Sequence, residues 1–159
     1  MFFRLVSAFL LALVLLFSPS PAQAGSLAVK YLDLTGKDYS HQSLLEAEFS
    51  HCTLDLTDFS YADLRGAVIS QSKMNKANMH GADFSLGIAY LVDFVDADLS
   101  DALFVESELL RSTFKNVDIT GADFTYAILE RAEQKKLCAI AEGVNSKTGV
   151  STRESLACR

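Results

Sequence analysis

The side chains of this chain that could do chemistry are three cysteines, Cys52, Cys138 and Cys158, three histidines, His41, His51 and His80, and a regular series of carboxylates. A catalytic thiol needs a histidine within hydrogen-bond reach, and a metal needs its ligands to converge at about 2 Å. No Cys-x-x-Cys pair, Gly-rich phosphate loop or plausible Ser/His/Asp grouping is present, so nothing marks an active site. The expectation is a non-catalytic protein with no cofactor and no metal centre. What these residues can do then depends on the frame that holds them.

That frame is set by a large apolar residue at every fifth position, from Leu34, Tyr39, Leu44, Phe49 and Leu54 through to Phe124 and Leu129. A period of five fits neither the 3.6 of a helix nor the 2.0 of a strand, so the backbone must turn every five residues. Two positions before each large residue the side chain is usually small, as at Ala62, Ala67, Ala77 and Ala82. Alternating large and small inner residues predict a solenoid whose coil has four short sides and twenty residues. Residues twenty apart then stack at about 4.8 Å, giving one small column of Ala62, Ala82, Ala102 and Ala122 and one large column of Leu44, Leu64, Phe84, Phe104 and Phe124.

The units Ala62-Asp63-Leu64, Ala82-Asp83-Phe84, Ala97-Asp98-Leu99 and Ala122-Asp123-Phe124 resemble the A(D/N)LXX repeat of the pentapeptide-repeat family. The resemblance covers residues 32 to 131. It implies an all-β solenoid, a right-handed quadrilateral β-helix of about five coils built from twenty repeats, and it is nearly silent on activity.

On this frame Cys52 falls on an inner small position between Leu32 and Ser72 and reads as a buried hydrophobe that no histidine reaches. His41 and His51 lie on opposite sides of the coil and His80 two coils from His41, so they read as solvated surface residues rather than metal ligands. One side stacks an acidic ladder of Asp38, Asp58, Asp98 and Asp118, with Asn78 at its middle. The ladder has two readings: side chains that stabilise each turn, or a strip imitating DNA, as in family members that bind DNA gyrase.

Outward apolar residues form a candidate interaction patch. The fourth side presents Val68, Ile88, Tyr90, Leu91, Leu110 and Ile128, and the third presents Leu45, Leu86, Leu103, Val105 and Tyr126. Either this patch contacts a partner or the C-terminal segment covers part of it. One irregularity interrupts the column, where Ala89 takes a large position among Ile88, Tyr90 and Leu91. Either the side bulges there, with Ile88 or Tyr90 filling the gap, or it displays these apolar groups outward.

The ends differ from the repeats. Residues 1–24 read as a secretory signal peptide, with Arg4 before an apolar run from Leu5 to Phe17 and an Ala22-Gln23-Ala24 cleavage site. The run is too short to span a bilayer comfortably, so cleavage after Ala24 is expected, with a retained membrane anchor as the alternative; no twin-arginine pair or Ser-rich basic leader is present. The formal charge of −6 becomes −7 once Arg4, the only charged residue of the leader, is removed. So acidic a surface argues against nucleic acid as a partner. Domain 25–131 follows, with Gly25 to Tyr31 as a lead-in and a first coil whose inner positions hold Leu32, Lys37 and Gln42, an N-terminal layer open to water.

Residues 132–159 form a helical cap. A helix over 132–142 carries Leu137, Ile140 and Ala141 on its apolar face and stops at Gly143 and Asn145; a second runs from a capping box at Ser151 and Glu154 to about Cys158. Cys138 and Cys158, one in each helix of an exported protein, are expected to form a disulfide contributing about 3 kcal/mol.

The leader, the repeats and a tail with Thr148-Gly149, Thr152-Arg153-Glu154-Ser155-Leu156 and Cys158 are similar to pentapeptide-repeat proteins of the cyanobacterial thylakoid lumen and their plant relatives. The resemblance implies an exported protein of the thylakoid lumen or periplasm, with no membrane span after cleavage. Its expected role is a structural, protein-interaction module that binds an unidentified protein partner, as a monomer or weak homo-oligomer. The alternative is a DNA-mimicking gyrase inhibitor.

Overall fold

The computed structural model describes residues 26–159, so the leader read over 1–24 lies outside it. The turn demanded by the five-residue period is a left-handed backbone step. From Tyr31 to Tyr126 every fifth residue has φ between +48° and +71°, and only Gly36, Gly66, Gly81 and Gly121 of these are glycine. Each other corner carries a conformational cost of about 1–2 kcal/mol. Gly81 has a second reason: the ring of Tyr61 lies 2.7 Å from where its Cβ would stand.

Between corners the chain pairs in parallel with the residue twenty positions on. Strands β1 (Ala28–Lys30), β2 (Glu48–Ser50), β3 (Val68–Ser70) and β4 (Ile88–Tyr90) form one sheet in that order, with Val29, Phe49, Ile69 and Ala89 in register. Isolated bridges continue this column to Glu108 and Ile128. Three further columns run Asp33 to Thr113, Asp38 to Asp118 and Ser43 to Asp123, each stepping by twenty. Every contact is a backbone ladder of the same kind, as when Leu54 N–H donates to the Lys73 carbonyl at 2.7 Å.

The expected inner rows are present. Leu44, Leu64, Phe84, Phe104 and Phe124 are all buried, with Phe104 stacked on Phe124 at 5.1 Å, and Ala62, Ala82, Ala102 and Ala122 are buried beside them. Winding starts earlier than a lead-in over Gly25 to Tyr31 implies, because Val29 already occupies the inner row of the fourth column. Leu32, Lys37 and Gln42 are exposed, as an open first layer requires.

Of the two readings around Ala89, the outward display holds and the bulge does not form. Ala89 keeps its register with Ile69 and is fully buried, while Ile88 and Tyr90 both point outward. The room left by two small residues is taken from within: the ring of Phe84 lies 2.6 Å from where a Cβ on Gly87 would stand. Gly87 is therefore a packing glycine, not a turn glycine.

Helix α1 (Arg131–Ile140) and the short α2 (Thr152–Ser155) close the far end. Their polar groups take up the last coil's unpaired N–H groups. Phe124 N–H donates to Ser155 Oγ at 3.0 Å, Gly121 N–H to the Glu142 carbonyl at 2.9 Å and Phe114 N–H to Glu133 Oε2 at 3.4 Å. Leu137 is buried as expected. Ile140 is exposed, because the chain becomes extended at Ala141 and that residue is buried in its place. Ser151 caps α2 by accepting from Glu154 N–H at 3.2 Å, but the helix stops at Ser155 and Ala157 turns left-handed, short of Cys158.

Asn145, which reads in the sequence only as a helix stop, fastens the cap to the coil. Its buried amide donates to the carbonyls of Asp101 at 3.1 Å and Gly121 at 2.9 Å, and its Oδ1 accepts from the N–H groups of Lys147 and Thr148. In urea unfolding, Asn145→Asp should cost about 2–4 kcal/mol, since it places an oxygen against two carbonyls in an isosteric side chain. Gly87→Ala should cost about 1–3 kcal/mol by forcing the Phe84 ring out of its place.

Candidate functional site

The cysteines, the histidines and the ladder carboxylates are, one by one, engaged in holding the coil. Cys52 is a buried free thiol whose Sγ lies 3.4 Å from the Ser50 carbonyl, and the ring of His51 points to Ser50 Oγ instead. Cys138 and Cys158 form the expected disulfide, Cα to Cα 5.5 Å, joining α1 to the C-terminal turn.

The histidines are not isolated in solvent. His51 stacks on Tyr31 and His41 on Tyr61, at centroid distances of 4.7 and 5.1 Å. His80 lies between Tyr61 and Ser100: its Nε2 is 2.9 Å from the Tyr61 hydroxyl and its Nδ1 2.8 Å from Ser100 Oγ. The Ser100 hydroxyl donates to Asp98, so His80 must supply the proton of its own bond to Ser100 and cannot serve as that serine's base. Among the described residues no group of three His, Cys, Asp or Glu side chains could hold a metal. No helix among them is long and apolar enough to cross a membrane.

The acidic ladder is built into the turns. Asp38, Asp58, Asn78, Asp98 and Asp118 each accept, through Oδ1, the backbone N–H two residues on, at 2.8 to 3.0 Å. Such a bond substitutes for a backbone acceptor just before each left-handed corner. At Asp33 the same arrangement, first the Thr35 hydroxyl and then its N–H, holds the carboxyl below the ordinary value. Asp101 ties the cap to the coil by accepting from Ser146 N–H at 2.8 Å and from the Ser146 hydroxyl. Burial pushes its carboxyl up, but these hydrogen bonds and the charges of His80 and Lys147 outweigh burial and set it below the usual range.

What remains without an internal task is apolar and outward. Tyr126 is 80% exposed, Leu86 62% and Ile128 51%, with Ile88, Tyr90, Leu91 and Leu110 also exposed and Val68 and Val105 half-buried. Leu103 does not belong to this surface, for it is buried. The C-terminal segment passes over its column, where Lys147 Nζ donates to the Gly81 carbonyl at 2.9 Å and Thr148 Oγ1 to Asp123 at 2.7 Å. The same segment leaves the fourth column uncovered. Leu56 and Tyr61, exposed on the first two columns, lie outside the expected patch; both are corner residues, whose side chains the left-handed step throws outward.

A family model described as pentapeptide repeats matches the chain in eight copies, over residues 38–71, 52–86 and 93–131. Thylakoid lumenal 15 kDa protein 1, chloroplastic, of Arabidopsis thaliana is 47% identical over 47 residues, which is 30% of this chain and 21% of that protein. Thylakoid lumenal protein TL20.3, chloroplastic, of the same plant is 48% identical over 40 residues, 25% of this chain and 14% of that protein. The chain thus matches only a small part of either. Among solved structures, a pentapeptide repeat protein from the Arabidopsis thaliana thylakoid lumen is similar at 32% identity and TM-score 0.43, covering 80% of this chain and 89% of that one. HetL, a pentapeptide repeat protein involved in heterocyst differentiation regulation in the cyanobacterium Nostoc sp. strain PCC 7120, has TM-score 0.59 at 19% identity, covering 64% of this chain and 54% of its own, and shows the likeness of fold.

The Asp101 tie has a testable pH signature. A carboxyl whose folded pKa is depressed stabilises the fold above its unfolded value, 3.8, and that contribution disappears as pH falls through the folded value. Asp101→Asn should therefore unfold more readily than wild type at pH 7, with the difference closing below pH 3.8 in a pH series of thermal melts.

Proposed function

The chain belongs to the pentapeptide-repeat family, and on that premise we propose that it works as a non-catalytic protein-interaction module of an exported compartment, the thylakoid lumen or a periplasm. Its body is a right-handed, quadrilateral β-helix of about five coils. Four bridge columns offset by five residues, each stepping by twenty, support that cross-section. The leader and the disulfide favour an oxidising destination, and the names of the curated plant relatives favour the lumen.

One observation carries the reading. The ladder carboxylates, the histidines and the cysteines are bound into the fold, whereas Leu86, Leu91, Leu110, Tyr126 and Ile128 stand exposed around the later coils with no other described residue over them. Exposed apolar surface that is contiguous by register marks a contact site. The gyrase-inhibitor reading has less to rest on, because the ladder carboxylates are engaged in turns and a cytoplasmic target conflicts with export.

Affinity capture from lumenal or periplasmic extract tests the proposal. Wild type should retain a defined protein partner that the variant Leu91→Asp plus Leu110→Asp loses, both proteins melting at the same temperature. Equal recovery of every captured protein by the two would remove this face as the contact site.

A further inference from the structure

The fourth column alone forms a sheet, from Ala28–Lys30 to Ile88–Tyr90, which isolated bridges continue to Glu108 and Ile128, and in two of its rows the end residues match their own reversal. One row reads Ile88-Ala89-Tyr90-Leu91 and the next Glu108-Leu109-Leu110-Arg111, with Ala89 and Leu109 turned inward. Arg111 is held across the row beneath by its Nη1, which donates to the Tyr90 hydroxyl at 3.3 Å. Among the described residues neither Glu108 nor Arg111 has an ion-pair partner in its own chain.

We infer that this face is the contact surface for a second copy of the chain, in a two-fold dimer whose symmetry axis runs parallel to the winding axis. This rests on the interaction-face reading above and names its partner. Such an axis keeps each row level with itself and reverses strand direction. Glu108 then faces the second copy's Arg111, and Ile88 faces its Leu91. Symmetry makes each contact twice, so two ion pairs in one row lie beside four apolar side chains in the row beneath. Charge complementarity selects this arrangement, because a second copy laid on with strands in the same direction would set Glu108 against Glu108 and Arg111 against Arg111. With rows about 4.8 Å apart and about 3.3 Å per residue along them, the face is small. The dimer is accordingly at the weak end of specific interfaces, dissociating in the micromolar to millimolar range.

Sedimentation equilibrium of the full exported chain, from about 1 μM to about 1 mM, tests it. Wild type should dimerise, and more weakly as salt is raised. Glu108→Arg and Arg111→Glu should each weaken self-association about tenfold or more by replacing attraction with repulsion at both symmetric contacts. An equimolar mixture of those two variants should recover association, because every introduced charge then meets its opposite. All of these proteins should melt like wild type, since both positions are exposed. A wild type that stays monomeric to about 1 mM, or a mixture no tighter than either variant alone, overturns the dimer. If wild type is monomeric yet the Leu91→Asp plus Leu110→Asp variant still loses a captured protein, the dimer fails and the interaction face stands. If capture is also unchanged, both fail.

Discussion

Each coil holds because its backbone pairs with the coil twenty residues on, and that ladder must outweigh a left-handed corner at every fifth residue. Most of those corners carry a side chain, from Tyr31 to Tyr126, and each such step is disfavoured on its own. An isolated pentapeptide would not adopt it. The corner is stable only where coils lie above and below, so the unit of stability is the stack and not the repeat. The same condition explains both ends. The first layer tolerates Lys37 and Gln42 because it faces water, and the last is closed by α1, α2 and the Asn145 amide, which take up backbone groups that would otherwise have no partner.

Much of this was legible in the sequence because a stack repeats its requirements. A row that admits only one size of side chain, such as Ala62, Ala82, Ala102 and Ala122, writes that size at a fixed interval. The corners left a fainter trace. Gly36, Gly66, Gly81 and Gly121 are separated by multiples of five, which marks the left-handed position, but the residues between them there include Tyr, Leu, Glu and Arg and hide the rule. Ala89 shows the limit of a size argument. Its gap admits either an inward turn of Ile88 or Tyr90 or their outward display, and the Phe84 ring beside Gly87 decides for the second.

Features formed by segments distant in the chain were not legible. Leu103 has the pattern of an outward residue and is buried only because residues 145–148 return across its column. Asn145 looks like any residue that ends a helix, and two of its four side-chain hydrogen bonds depend on where Asp101 and Gly121 lie. The histidine stacks, by contrast, follow the repeat: Tyr31 and Tyr61 stand twenty residues from His51 and His41, where the stacking rule puts them in contact. The cysteines, the histidines and the ladder carboxylates are absorbed into structure, and the surface left for other molecules is the fourth column, apolar with Glu108 and Arg111 upon it, and its third-column rim.

Disulfide trapping between residues twenty apart tests the stacked winding most directly. Asp93 and Thr113 are bridged in parallel on the first column, with Thr113 Oγ1 donating to Asp93 at 2.8 Å, and strands about 4.8 Å apart bring Cα atoms within disulfide range. Asp93→Cys with Thr113→Cys should oxidise to a crosslinked monomer seen by mass spectrometry, while Asp93→Cys with Asp118→Cys, twenty-five apart, should not. Crosslinking of the second pair in preference to the first would contradict the winding and every surface derived from it.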